Sequence, residues 1–118
     1  GLNDLLFTQN SSTLTAKTTL GNTINPSVLP YAPERLTMFM GEDLELTIDS
    51  ETTFDTVLNS CTILDTTIVQ IYSAISDINN TVSCYLRALN SGQTVLTTTD
   101  RYGNLSETVI VVIKNVND

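Results

Sequence analysis

Leu44-Glu45-Leu46-Thr47-Ile48 is the stretch of sequence that decides the fold, because apolar and polar residues alternate along it with a period of two. Successive side chains of a β-strand point to opposite faces, so the three apolar residues of this stretch share one buried face. The preceding residues 40–43, Met-Gly-Glu-Asp, have the composition of a turn. The sequence therefore predicts neighbouring strands over residues 36–40 and 44–48.

The same alternation continues toward the C-terminus. Further strands are predicted over residues 94–99 and 105–114, on either side of a hairpin turn at residues 100–104. Threonine fills 20 of the 118 positions and, like valine and isoleucine, is stiff at χ1 and suits a pleated surface. Composition and alternation together predict an all-β fold. One strand face is predicted to carry Val82, Cys84, Leu86 and Ala88.

Residues 62–78 carry two conflicting patterns. Apolar residues recur there at spacings of three and four, which is typical of an amphipathic helix. However, nine of the seventeen residues are β-branched, which lowers the helix propensity of the whole segment. We predict strands over residues 56–63 and 68–72, with a loop or short turn over residues 73–80.

Charge and composition exclude several classes of partner. Of the 118 residues 41% are hydrophobic and 15% are charged, which is enough apolar material for one core. Five basic residues oppose 13 acidic ones, and the net charge of −8 argues against nucleic acid and anionic membranes as partners. The longest uninterrupted apolar run, residues 109–113, is far shorter than the ~20 residues of a membrane-spanning helix.

The chain divides into two regions that differ in amino-acid composition. Residues 1–34 are polar and rich in Thr, Asn and Ser, and we predict an extended N-terminal arm with a lone strand over residues 12–20. All three prolines lie within residues 26–33, which predicts an extended, Pro-rich connector, because proline removes a ladder donor and favours extended geometry before it. Residues 35–118 form the predicted sandwich domain.

Four pieces of the second region follow one another in the order of a known domain family. They are an opening strand with a Gly-Glu turn and second strand, a polar cluster before a short apolar strand, a connection with an Ala-x-x-x-Gly motif, and a last hairpin. In this order they are residues 36–46, 59–71, 85–96 and 100–113. Through these pieces, about two-thirds of the chain resembles the bacterial immunoglobulin-like (Ig-like) domain family, group 2.

The resemblance implies a Greek-key β-sandwich of about seven strands. It also implies a structural or adhesive role, because modules of this family occur in bacterial surface adhesins and as add-on domains of phage capsid and tail proteins. The sequence departs from the family at two points. Val57-Leu58 stands where a tryptophan is common, and the two cysteines are not part of the usual pattern.

The residue types present argue against catalysis and against a resident metal or cofactor. The chain contains no histidine, so a nucleophile would lack its usual base, and we predict no catalytic residue. The spacing of Asp49, Glu51 and Asp55 does not match a calcium loop, and we predict a solvated acidic loop there. Cys61 and Cys84 leave two interpretations open, a disulfide or two buried free thiols.

Two hypotheses of function follow. The first is a non-catalytic structural or decorating module of a large assembly, with a phage virion as the expected setting and other protein subunits as partners. The second is an adhesion or spacer domain of a secreted bacterial cell-surface protein. The first rests on a last strand with two apolar faces, which either the arm or another chain would cover. The expected assembly contacts are Leu5, Leu6, Phe7, Ile110 and Val112.

Overall fold

The computed structural model describes residues 12–19, 23–30, 32–49, 60–76 and 81–114. These residues form nine β-strands in two stacked sheets, and they contain no helix. The prediction of an all-β fold is therefore confirmed, in the form of a two-sheet sandwich. The strands are β1 (Thr13–Thr18), β2 (Thr23–Val28), β3 (Arg35–Phe39), β4 (Asp43–Asp49), β5 (Cys61–Ile63), β6 (Val69–Ser76), β7 (Thr81–Ala88), β8 (Gly92–Thr99) and β9 (Leu105–Ile113).

The first sheet, sheet A, has the order β2-β1-β4-β7-β6, and all of its neighbouring strands are antiparallel. Its central strand is β4, where Leu46 lies opposite Ala16 of β1 and Cys84 of β7. Leu44, Leu46 and Ile48 are all buried, so the predicted inward face of this strand is confirmed.

The second sheet, sheet B, has the order β3-β9-β8-β5. β8 runs antiparallel to both β9 and β5, whereas β3 runs parallel to β9 and places Leu36 beside Ile110 and Met38 beside Val112. These four side chains are buried, and they form part of the apolar inner face of sheet B.

The hydrophobic core fills the space between the two sheets. It combines long aliphatic side chains from nearly every strand, and burial of each large one contributes about 1.5–3 kcal/mol to the transfer free energy. The buried apolar residues are Leu14, Ala16, Leu29, Leu36, Met38, Leu44, Leu46, Ile48, Cys61, Val69, Val82, Cys84, Leu86, Ala88, Leu96, Ile110 and Val112.

Within residues 62–78, where the sequence patterns conflict, the second strand extends further than predicted. β6 continues to Ser76, so the predicted loop is wrong over residues 73–76, and residues 77–80 lie outside the described part of the chain. Pairing with β7 reaches Ser76 opposite Val82, so β6 has a hydrogen-bonded neighbour up to its last residue. The apolar spacing does not mark a buried helix face, because Ile75 is 53% exposed.

The strands β1 and β2 belong to the sandwich and do not stand apart from it. β1 pairs with β2 on one side and with β4 on the other, and Leu14, Ala16 and Leu29 lie in the common core. Pro26 lies in β2, an edge strand, where a missing N–H need not break the ladder. The core therefore crosses the boundary that the sequence placed at residue 34.

Two residues of the last strand that were expected to contact other chains face the core instead. Ile110 and Val112 are 0% and 2% exposed, so neither side chain is available to a partner in this structure. The outward positions are Val109, Val111 and Ile113. Both faces of β9 are apolar, and its register with β3 and β8 decides which face turns inward.

Candidate functional site

A disulfide joins the two sheets through the core. Cys61 begins β5 in sheet B, and Cys84 lies in β7 of sheet A, with their Cα atoms 6.6 Å apart. Both side chains are buried, and Cys84 is fully so. Closing a loop of 23 residues stabilises a folded chain by roughly 3 kcal/mol in the chain-entropy description. The bond is a structural cross-link of the sandwich.

The connection from sheet A to sheet B is held against β9 by hydroxyl groups. Ser106 Oγ donates to the carbonyl oxygen of Pro30 and accepts from the backbone N–H of Ala32. Thr108 Oγ1 donates to the carbonyl oxygen of Pro33 at 2.6 Å. These bonds explain why Ser106 and Thr108 lie on an otherwise apolar inward face, because the crossing backbone needs polar partners.

The hairpin between β8 and β9 is organised by a buried carboxylate. Asp100 is 5% exposed, and its Oδ1 accepts hydrogen bonds from the backbone N–H groups of Tyr102 and Asn104. Its Oδ2 accepts from Asn104 Nδ2 at 2.8 Å. Gly103 has a φ of +86°, which an L side chain rarely adopts. The acidic group therefore closes a turn and does not face a ligand.

A second buried carboxylate shapes the turn before β4. Glu42 Oε1 accepts a hydrogen bond from the backbone N–H of Phe39 at 3.0 Å, and Glu42 is 4% exposed. The carbonyl of Glu42 accepts from Ala88 N, and Gly41 N donates to Ala88 O. Gly41 has a φ of +83°, so the turn uses the freedom of glycine. This turn leads directly into Asp43, the first residue of β4, which is paired with β7.

The outer face of sheet A carries a fixed ion pair. Arg87 lies opposite Asp43 on the neighbouring strand, with Nε–Oδ1 at 2.7 Å and Nη2–Oδ2 at 3.1 Å. This two-point geometry matches the planar guanidinium to the carboxylate. The hydrogen bond from Arg87 holds the pKa of Asp43 below its ordinary value, with a smaller contribution from the Tyr72 hydroxyl. The same pairing raises the pKa of Arg87.

Two tyrosines lie beside this ion pair. The Tyr72 and Tyr85 rings are 6.2 Å apart between centroids and inclined at 38°, and the Arg87 guanidinium carbon lies 5.1 Å from the Tyr72 centroid. The register of β6 shifts between Ile71 and Ser73, so Tyr72 is the extra residue of a β-bulge. Bulges change the direction of side chains locally. Tyr72 remains 49% exposed although its ring is contacted by two neighbours.

The tyrosines border a shallow depression that runs along β1 and β4. It has a volume of about 170 Å³ and is bordered by Lys17, Asp43, Glu45, Tyr72 and Tyr85. A second depression of about 320 Å³ lies next to it and shares Lys17 and Glu45. We call the combined surface the tyrosine groove. Lys17 and Glu45 lie opposite each other across β1 and β4.

The structure assigns few of the predicted site residues to a site. Leu5, Leu6 and Phe7 lie outside the described residues, as do Glu51 and Asp55 of the acidic loop. Asp49 is the last residue of β4, and the described residues contain no group of three or more side chains that could hold a metal.

Sequence reasoning missed the tyrosine groove, although part of its signal was present. Tyr85 and Arg87 alternate with the inward residues of a strand that the sequence predicted, so both could be placed on its outer face. The contribution of Tyr72 depends on the pairing and bulge of β6, which the sequence pattern did not indicate.

Comparison of the chain with models of protein families, with curated proteins and with solved structures returned no match in any of the three searches. No helix among the described residues is long and apolar enough to cross a membrane. The class of protein is therefore defined by the structure alone, as a two-sheet β-sandwich with a disulfide between its sheets.

Proposed function

We propose that the chain is a non-catalytic structural module of a large assembly outside the cytoplasm, most directly an adhesion or spacer domain of a secreted cell-surface protein. The observation that carries this proposal is the bond between Cys61 and Cys84. Disulfides persist in secreted and surface proteins and are rare in the cytosol, where thiols are kept reduced. A small sandwich cross-linked between its sheets suits a mechanical or spacing role.

The strand order supports an Ig-like Greek-key arrangement for residues 35–113. In Ig domains, strands A, B, E and D form one sheet and strands C, F and G the other. Here β4, β7 and β6 would correspond to B, E and D, and β5, β8 and β9 to C, F and G. β3 would be the first strand, paired in parallel with the last. The disulfide joins the counterparts of C and E, whereas antibody domains join B and F.

The use of the buried carboxylates supports a non-catalytic role. Glu42 and Asp100 are both engaged by backbone N–H groups of their own turns. A general acid or base must instead face the reacting group of a bound substrate. These two acids stabilise turns, which is the chemistry of a structural domain.

A phage virion is the second setting, and the outer face of sheet B favours it. Val95 and Val109 lie opposite each other on this face, beside Val111 and the 39% exposed Ile113. Neighbouring protein subunits of a virion would cover such an apolar strip. In this setting the disulfide would form after release from the cytoplasm, and the acidic chain would bind protein and not nucleic acid.

Trapping of thiols in the cells that make the protein tests the proposal and separates the two settings. Cells are quenched in acid, free thiols are alkylated with a maleimide, and the mass of the chain is measured. An exported domain carries no maleimide group on Cys61 or Cys84. Two maleimide groups on intracellular chains and none on chains from released particles indicate the virion setting. A chain that stays reduced in both fractions contradicts a role outside the cytoplasm.

A further inference from the structure

The tyrosine groove differs from an ordinary solvated sheet face in that the side chains around Asp43 and the two tyrosines are held in place. Arg87 bonds both oxygens of Asp43, and its guanidinium also lies against the Tyr72 ring. Tyr85 contacts the same ring from β7. Groups that are fixed before binding lose little conformational entropy when a ligand arrives. This end of the groove is therefore organised in advance, and it presents the half-exposed Tyr72 ring to solvent.

The composition of the groove selects the chemistry of its ligand. Of the charged residues that line the groove, Lys17 lies opposite Glu45, and Asp43 is paired with Arg87 beside the groove. Each charge is therefore balanced locally, in a chain whose net charge is −8. A charged ligand would gain no net attraction there. The same groups supply many hydrogen-bond donors and acceptors beside an aromatic surface, and Thr15 and Thr47 continue the hydroxyl lining. Polar groups in fixed positions beside an apolar wall are typical of small-ligand sites.

We propose that the tyrosine groove binds an uncharged oligosaccharide. The C–H face of a pyranose ring packs on the exposed Tyr72 ring, which offers an apolar face at low entropic cost. The hydroxyl groups of the sugar exchange hydrogen bonds with Lys17 and Glu45 along β1 and β4. Two neighbouring depressions that share Lys17 and Glu45 suit successive rings of a sugar chain better than a single compact ligand. This inference holds in either setting proposed for the domain.

Titration of the full chain with defined sugars tests this inference. The ¹⁵N-labelled protein is titrated separately with cellotetraose, maltotetraose, mannotetraose and tetra-N-acetylchitotetraose, and backbone amide shifts are followed. At least one sugar should give saturable shifts centred on Lys17, Glu45 and Tyr72, with a Kd of about 1 mM or tighter. Shifts that do not saturate with any of the four sugars, or that centre on sheet B, overturn the proposal.

The variants Tyr72→Ala and Ile75→Ala provide a matched comparison. Both residues lie on β6 and are similarly exposed, at 49% and 53%, but only Tyr72 borders the groove. Tyr72→Ala should weaken binding about tenfold or more, whereas Ile75→Ala should leave the Kd unchanged. Tyr72→Phe keeps the ring and should retain most of the affinity. Equal effects of the two alanine variants, at unchanged urea midpoints, would overturn the assignment of the groove.

Discussion

Thr108 Oγ1 donates a hydrogen bond of 2.6 Å to the carbonyl oxygen of Pro33, across 75 residues of sequence. With the Ser106 bonds to Pro30 and Ala32, it ties the connection between the sheets to the last strand. The described N-terminal residues are thereby part of the folded unit. The described residues before position 35 therefore have a structural role that their polar composition does not indicate.

Substitution of Leu29 tests whether this connection is part of the core. Leu29 is fully buried, so Leu29→Ala should lower the free energy of unfolding by about 2–5 kcal/mol, through lost burial and a cavity. The neighbouring Val28 is 50% exposed, and Val28→Ala should change the free energy by no more than about 0.5 kcal/mol. Urea denaturation measures both values. If Leu29→Ala lowered the free energy of unfolding by no more than Val28→Ala does, Leu29 would not be a core residue.

Leu46 provides the corresponding test at the centre of sheet A. It is 2% exposed and lies between Ala16 and Cys84, so Leu46→Ala should also cost about 2–5 kcal/mol. Leu105→Ala is the control, because Leu105 is 52% exposed and at the start of β9. An unchanged denaturation midpoint for Leu46→Ala would contradict the register of β4.

Reduction of the disulfide should destabilise the sandwich without changing its fold class. The double variant Cys61→Ala/Cys84→Ala should lose roughly 3 kcal/mol, because the unfolded chain regains the entropy of a 23-residue loop. A phosphine reductant should lower the melting temperature of the natural chain and leave that of the double variant unchanged. A natural chain whose melting temperature is insensitive to the reductant after complete thiol release would contradict a stabilising cross-link.

The ion pair on sheet A predicts a small pH dependence of stability. The pKa of Asp43 is lower in the folded chain than its ordinary value of 3.8, mainly because of the hydrogen bond from Arg87. The carboxylate therefore stabilises the fold above about pH 4, and this contribution is lost as the pH falls through the folded-state pKa. Arg87 is half exposed, so the contribution should stay below about 1 kcal/mol.

The variant Asp43→Asn isolates this effect. Its free energy of unfolding should lie below that of the natural chain at pH 7, and the two values should converge as the pH falls toward 2. Urea denaturation at a series of pH values, at low ionic strength, measures the difference. A difference that persists unchanged at pH 2 would assign the loss to packing and not to the charge.

The carboxylate of Asp100 should matter more for stability than its position in a hairpin suggests. Asp100→Ala removes the acceptor for the Tyr102 and Asn104 N–H groups in a buried position and should cost about 1–3 kcal/mol. Asp65 is the comparison, because it accepts hydrogen bonds from the backbone N–H and the hydroxyl of Thr67 but is exposed. Asp65→Ala should have a clearly smaller effect on the urea midpoint. The opposite order would contradict the role assigned to Asp100.

The amino-acid sequence by itself determined the strands whose pattern is local and unambiguous. Alternation along β4 and β7 places every second residue inward, because strand side chains alternate regardless of the rest of the fold. The turns at Gly41 and Gly103 were equally visible, since both positions require a positive φ that glycine adopts freely. These features depend on neighbours in the chain.

Tertiary structure alone decided the features that depend on distant partners. The sequence could not choose the inward face of β9, because both faces are apolar and only pairing with β3 and β8 distinguishes them. It left open the pairing of Cys61 and Cys84, which needs two sheets to bring them together. Tyr72 acquired its neighbours through a bulge on β6, since side chains from separate strands meet only when those strands pair.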